Sequence, residues 1–343
     1  MKMKYNVTAE CFCKINNSIY FPIRETNSLC FLDMDLMKVQ TFQCVPDEHS
    51  NLTRLYGGIC SFGNYLLLVP FNAEYIWLCD RTNCKWTPYS VNKFMSSNTN
   101  GKFMGCIQIN EKIYLFGYKY KGILSFSTKS FALEEVLESR SCFWGQCVAV
   151  VGDTLYVGEN QENVIYRIDT VRDTYESIIP EGIVSGFAGI KYQGDHIYMV
   201  PRVGNAIIRW DMKNNYEPIY IDAYYNDGKN HFNGLAVSDK TILLYSPADK
   251  SYLYCIDDNI GKVLDRKIKY AGCYDENKFI LFEEGKIYIT NWYMENIDSI
   301  DLTVSNNIVR EQAREFKFGD GKIVQESDFF NLSDFISNVN CGD

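Results

Sequence analysis

The sequence predicts an all-β chain, a seven-bladed β-propeller of four-stranded antiparallel blades with a short C-terminal helix, and three recurrences predict it. A strand-like segment returns seven times, as NNSIYFPI, GNYLLLVP, NEKIYLFG, GDTLYVGE, GDHIYMVP, DKTILLYSP and EGKIYITN. Centred on Tyr20, Leu67, Tyr114, Tyr156, Tyr198, Leu244 and Tyr288, the copies lie 47, 47, 42, 42, 46 and 44 residues apart, the span of one propeller blade. A second pattern ends at Asp33, Asp80, Ser127, Asp169, Asp211, Asp257 and Asp301, each 13 residues after its anchor. The third is an aromatic, any residue, then glycine, placed before the middle anchors at Phe103 and Gly105, Phe143 and Gly145, Phe187 and Gly189, and Phe232 and Gly234. The run RLYGG at residues 54–58 is a close relative of it.

Within each repeat the elements follow in order. The first strand comes after the glycine, which lets inner strands approach one another near a crowded axis while the preceding aromatic wedges between blades. A tight turn follows, as at Gly152 and Asp153 or Gly194 and Asp195, because glycine, asparagine and aspartate tolerate the positive φ of two-residue hairpins. The second strand surrounds the anchor, and its unbroken apolar runs, such as Leu66, Leu67, Leu68 and Val69, suit a sheet covered on both faces. The third strand ends at the Asp, which is expected to cap the next turn through backbone amides. A shorter fourth strand completes the unit. Four strands alone cannot bury both faces, so each sheet must stack on its neighbours. A radial ring of such sheets leaves few edges exposed.

These boundaries give one domain over residues 1–327, with blades near 8–45, 55–92, 103–137, 143–180, 187–222, 232–268 and 277–312. The apolar spacing of DFFNLSDFISNV at residues 328–339 predicts the terminal helix in a tail of 328–343. A further strand is expected between Phe316 and Gln325, and either it or Lys2 to Val7 would complete the last blade.

Composition narrows the function. With 34 basic and 43 acidic side chains the net charge is −9, and no basic run interrupts it, which disfavours nucleic acid as a partner. No apolar stretch of secretory or membrane-spanning length is present, so a cytoplasmic chain without membrane contact is expected. Thirteen scattered cysteines fit buried thiols of a reducing compartment. Their closest pairs, Cys11 and Cys13, Cys79 and Cys84, and Cys142 and Cys147, form no CxxC, so they predict no metal site. Three histidines, His49, His196 and His231, supply little acid–base chemistry, and no GxSxG, GxxxxGKS or HExxH motif appears.

A binding site is therefore sought in the loops. The position four residues past each anchor falls in the loop between the second and third strands and carries Arg24, Phe71, Tyr118, Asn160, Arg202, Ala248 and Trp292. These residues differ in type while the scaffold repeats, and variable loops on a rigid frame are where recognition tends to reside. Loops leading into each first strand add Arg54, Tyr56, Trp144, His231 and Tyr274 to the same face. Arginine pairs carboxylate or phosphate, and tryptophan or tyrosine stacks on a sugar or packs a peptide side chain.

The repeats resemble propeller families in general, kelch and gluconolactonase-type repeats among them. The nearest local likeness is HFNGLAVSDK, His231 to Lys240, which resembles the PNGLA segment of gluconolactonase-type propellers. That resemblance implies a divalent-metal role for Asn233, although Phe232 stands where the family has proline and the double glycine of kelch repeats is missing after the second strand. The leading expectation is a monomeric, cofactor-free recognition or scaffold module for a protein or glycan. The alternative is a metal-dependent hydrolase or lactonase holding Ca²⁺ or Mg²⁺ near Asn233, with Glu25, Glu74, Glu159 and Asp249 as further oxygen donors.

Overall fold

The computed structural model describes residues 11–22, 28–33, 38–48 and 54–220 apart from single positions, and nine strands between Gly234 and Gln325. All described elements are strands, and no described helix is long and apolar enough to cross a membrane. The first sheet is β1 (Cys13–Ile15), β2 (Ser18–Pro22), β3 (Ser28–Asp33) and β4 (Lys38–Cys44), and the second β5 (Tyr56–Phe62), β6 (Tyr65–Pro70), β7 (Tyr75–Asp80) and β8 (Lys85–Ser90). The third is β9 (Phe103–Ile109), β10 (Lys112–Gly117), β11 (Gly122–Ser127) and β12 (Leu133–Glu138). The fourth is β13 (Phe143–Val151), β14 (Thr154–Glu159), β15 (Ile165–Asp169) and β16 (Thr174–Ile178), and the fifth β17 (Phe187–Gln193), β18 (His196–Pro201), β19 (Ala206–Trp210) and β20 (Tyr216–Tyr220). The sixth is β21 (Gly234–Ser238), β22 (Thr241–Tyr245), β23 (Tyr252–Asp257) and β24 (Val263–Lys269).

Within each set of four the strand order is the sequence order, and the fourth and fifth sets join into one eight-stranded sheet where β13 pairs in parallel with β17 at Cys147 and Ile190. Three further strands, β25 (Ile280–Glu283), β26 (Lys286–Ile289) and β27 (Trp292–Glu295), form one sheet, and β28 (Glu315–Lys317) pairs with β29 (Ile323–Gln325). That hairpin occupies the segment expected to add a strand. The expected helix at 328–339 and the strand at Lys2 to Val7 lie outside the described residues.

The repeat register is visible in the pairing. Tyr20 faces Phe31, Leu67 faces Leu78, Tyr114 faces Ser125, Tyr156 faces Arg167 and Tyr198 faces Arg209, one common offset in five sheets. Leu244 faces Tyr254, a step of one fewer. The two-residue turns fall where glycine and asparagine predicted them, with Asn16, Gly63, Asn110, Gly152 and Gly194 all at φ between 50 and 59°. In the second, third and fourth sheets the residue after the third strand repeats one hydrogen bond to the turn: Arg81 N to Asn64 O at 2.9 Å, Thr128 N to Glu111 O at 2.8 Å and Thr170 N to Asp153 O at 3.0 Å.

The strands fall into two compact units, β1 to β8 with the chain up to Phe103 in the first, and β9 to β26 from Met104 to Ile289 in the second. In both, the core lies between successive sheets. Leu29 of the first sheet packs with Tyr56, Leu66, Leu68 and Trp77 of the second. In the second unit Tyr114, Phe116 and Ile123 meet Phe143, Leu155 and Val157, while Cys147 and Tyr156 meet Phe187, Met199 and Trp210. Sheets covered on both faces explain why the second strands are apolar without alternation. Most described cysteines, Cys30, Cys60, Cys79, Cys142 and Cys147 among them, are buried thiols.

The aromatic-x-glycine motif does two things. Its glycines bring the inner strands together: a Cβ on Gly105 would stand 2.5 Å from the Gly145 Cα, and one on Gly145 2.8 Å from the Gly105 Cα. Its aromatics Phe103, Phe143 and Phe187 are fully buried, and Phe187 lies over Gly158 of the preceding sheet. The motif also breaks the ladder, since the register shifts between Tyr56 and Gly58, Phe143 and Val148, and Phe187 and Gly189. A bulge of this kind bends the first strand and re-aims the residues next to it.

The Asp that ends the third strand caps the following turn as expected. Asp80 Oδ1 accepts from Thr82 N at 2.9 Å, Asp169 Oδ1 from Val171 N and Arg172 N at 3.0 Å, and Asp211 Oδ1 from Lys213 N at 3.0 Å and Asn215 N at 3.2 Å. The Arg172 amide foremost holds the Asp169 carboxyl below its usual range, and the Lys213 amide does the same for Asp211. A depressed folded pKa stabilises above the unfolded value, about 3.9, and that contribution is lost as pH falls through the folded one. Replacing Asp169 and Asp211 by alanine is therefore expected to lower Tm at pH 6, with the gap to wild type narrowing as pH falls below about 4 in melts across the acid range.

Candidate functional site

Each sheet of the second unit has a turn end and a loop end. At the turn end neighbouring sheets are tied by Asn110 Nδ2 donating to Asp153 Oδ1 at 2.9 Å and by a 2.6 Å ion pair of Lys112 with Asp173. The loop end is built differently. Here the residue four past the anchor donates its backbone N–H to the carbonyl just before the first strand: Asn160 N to Cys142 O at 3.0 Å and Arg202 N to Gly186 O at 2.8 Å. The first unit repeats the bond with Phe71 N to Leu55 O at 2.7 Å.

That bond draws the position inward. Asn160 is 2% exposed, Phe71 8% and Tyr56, the first residue of β5, 4%. Burial raises the Tyr56 phenol well above its ordinary value, with the Glu48 charge adding to it, and its hydroxyl has no partner among the described residues. Arg54, at φ 57°, lays its guanidinium 4.1 Å above the Phe71 ring. Tyr118 is half-buried in the bend after β10. Trp292 opens strand β27 where a loop was expected. Arg24, His231, Tyr274 and Asn233 lie outside the described residues, as do Glu25 and Asp249.

Three of the expected residues meet at the loop end of the fourth and fifth sheets. Asn160 uses its side chain twice: Nδ2 donates to Phe187 O at 3.2 Å, and Oδ1 accepts from Arg202 Nη1 at 2.7 Å. The Arg202 guanidinium then stands 5.6 Å from the centre of the Trp144 ring, a cation–π arrangement. No room is left between the two loops, because a Cβ on Gly186 would come within 2.2 Å of the Asn160 carbonyl oxygen. A buried amide thus holds a half-exposed cation against an indole. No carboxylate pairs with Arg202 among the described residues.

Further polar groups surround this triad, among them Glu159, which the sequence offered as a metal donor. Buried Glu159 accepts from Ser139 Oγ and, at 3.1 Å, from Tyr166 OH. Burial raises the Tyr166 phenol, and the Glu159 charge adds to the shift. Cys142 places Sγ 3.9 Å from Asn160 Oδ1, and burial raises its thiol against the opposing charges of Lys121 and Arg202. Two buried donors have no partner among the described residues, the Trp144 Nε1–H and the Ser141 hydroxyl. Nothing in the spacing of Ser139 or Ser141 marks them, because they gather only when successive repeats pack.

In the first unit the corresponding loop is held by Glu48, which accepts from Glu74 N at 3.1 and 3.0 Å, from Tyr75 N at 3.3 Å and from Trp77 Nε1 at 2.7 Å. Fully buried Lys102 donates to Ala73 O at 2.8 Å. Burial lowers the Lys102 pKa against the charges of Glu48 and Glu74. Among the described residues no group of three or more His, Cys, Asp or Glu is placed to hold a metal ion.

No protein-family model matches the chain, and no curated protein matches it by sequence. Solved structures do. Virginiamycin B lyase from Staphylococcus aureus is 13% identical with a TM-score of 0.64, over 84% of this chain and 94% of that one. A streptogramin B lyase is 15% identical with a TM-score of 0.60 over 83% and 89%, and U3-55K 9% identical with 0.57 over 82% and 88%. At such identities the likeness is one of fold, and the fold of this chain is that of a β-propeller.

Proposed function

We propose that this chain is a non-catalytic recognition module that binds a protein or glycan partner through the loop end of its sheets, where Trp144, Asn160 and Arg202 meet. The observation that carries the reading is a cation fixed in place yet without a counter-charge among the described residues: Asn160 takes one guanidinium nitrogen, Trp144 supports the group, and the rest of it is available to a partner. An arginine held in this way loses little side-chain freedom on binding, so more of its interaction energy appears as affinity.

The reading includes seven blades in one ring, a terminal helix after residue 327, a cytoplasmic monomer and no cofactor. The fold also serves lyases among the similar structures, and the competing role is a metal-dependent hydrolase with Asn233 at a divalent ion. Thermal melts separate the two. A native-state metal must raise Tm in Ca²⁺ or Mg²⁺ relative to EDTA, by mass action, whereas the recognition reading expects one Tm in all three.

Its positive test is capture from the source cell by wild type and by Arg202→Ala, read by quantitative mass spectrometry. Loss of one charge-assisted contact, about 1.5 to 3 kcal/mol, should deplete a specific partner about tenfold or more. Identical partner lists would reject the loop end as the binding surface.

A further inference from the structure

We infer that the group recognised at this loop end is a carboxylate carried beside an aliphatic side chain, as at the C-terminus of a peptide whose last residue is apolar. The inference rests on the recognition reading above and names its ligand class. A guanidinium without a carboxylate partner among the described residues and two exposed apolar side chains lead to it, with two unmatched donors nearby in the chain. Arg202 has no carboxylate partner among the described residues, and the Trp144 Nε1–H and the Ser141 hydroxyl are buried without an acceptor. Ser141 is 2% exposed and directly precedes Cys142, whose carbonyl receives the Asn160 amide. Buried donors left unmatched cost stability unless something accepts from them. A carboxylate supplies two oxygens with several acceptor sites and the negative charge that a guanidinium lacks here.

The neighbouring surface specifies what the carboxylate is attached to. Val184 is 86% exposed, and Val203, the residue after Arg202, is 41% exposed. The two segments are joined, since Val203 N donates to Ser185 Oγ at 3.1 Å. Two exposed valines beside one cation fit an aliphatic side chain next to an anionic terminus. An acidic sugar fits less well. Its ring would stack on an aromatic face, and Arg202 already stands over the Trp144 ring.

The test is selection of a random peptide library displayed with free C-termini against the full chain, followed by affinity measurement on one selected peptide made as the free acid and as the carboxamide. Enrichment of apolar C-terminal residues is expected, with the amide about ten- to a hundredfold weaker. Arg202→Met should remove the difference between acid and amide, and Val184→Asp, at a fully accessible site, should abolish the apolar preference with Tm unchanged. Selection of internal sequences, an amide that binds as well as the acid, or competition by a glucuronate oligosaccharide at equal concentration would overturn the inference. Should capture from cells still depend on Arg202 in that case, the recognition reading stands and the carboxylate alone is wrong; should neither depend on it, both fall.

Discussion

Gly105→Ala is expected to destabilise the chain by about 2 to 6 kcal/mol. Two costs combine. Gly105 sits at φ 113°, where an L side chain is strained by about 1 to 3 kcal/mol. The new Cβ would also stand 2.5 Å from the Gly145 Cα, and forcing backbone apart in a packed core costs about 1 to 3 kcal/mol. Two companion variants separate the terms. Gly145→Ala meets the same contact at 2.8 Å with no positive φ, so about 1 to 3 kcal/mol is expected. Gly152→Ala lies in an open turn at φ 58° with nothing within 4 Å, and only the backbone cost of about 1 kcal/mol applies. Urea unfolding of the three should rank them in that order; a mild Gly105→Ala would mean that the inner strands do not approach as described.

Glu48→Ala should cost about 2 to 4 kcal/mol, although Glu48 lies in no strand. Its carboxylate is 8% exposed and receives the amides of Glu74 and Tyr75 and the indole of Trp77. Removing it strands several donors at once, each worth about 1 to 3 kcal/mol when buried and unmatched, and water at the partly exposed amides recovers some of that. It also withdraws one of two carboxylates that favour the charged form of buried Lys102. Glu48→Gln keeps an acceptor for Trp77 and should lose roughly half as much. Guanidinium unfolding distinguishes the pair, and equal stability of wild type and Glu48→Ala would show that the carboxylate is no anchor of the loop at 71–74.

The sequence made the frame legible because its signals are local. An anchor, a turn glycine and a capping Asp each act within a few residues, so Tyr156, Gly152 and Asp169 could be placed from spacing alone, and the structure puts them in one repeating register. The aromatic-x-glycine motif predicts close approach, which Gly105 and Gly145 show. The bulge it creates was not foreseen, since a broken ladder leaves no composition of its own.

The site was half legible. Asn160 and Arg202 follow from equivalent positions and Trp144 from a loop leading into a first strand, but position could not reveal that Asn160 turns inward to bind the Phe187 carbonyl and steady Arg202. Glu48 and Lys102 carry no local signal because their partners lie 29 residues away and depend on how the loops pack, and Glu159, expected as a metal donor, instead accepts from Ser139 and Tyr166. An acidic residue in a linker ordinarily reads as solvated surface, and only burial distinguishes Glu48 from one.

Amide hydrogen exchange on the full chain, resolved peptide by peptide, tests most directly the claim that the repeat register governs the fold and so aims the loops. The second strands β6, β10, β14 and β18 are buried almost throughout, while the fourth strands β8, β12, β16 and β20 are largely exposed. Opening should be hardest where burial is deepest. The account predicts slowest exchange at every second strand and faster exchange at every fourth, rising and falling with the 42- to 47-residue spacing of the anchors. Protection of the fourth strands equal to that of the second in several repeats, or a pattern out of step with the anchors, would contradict it.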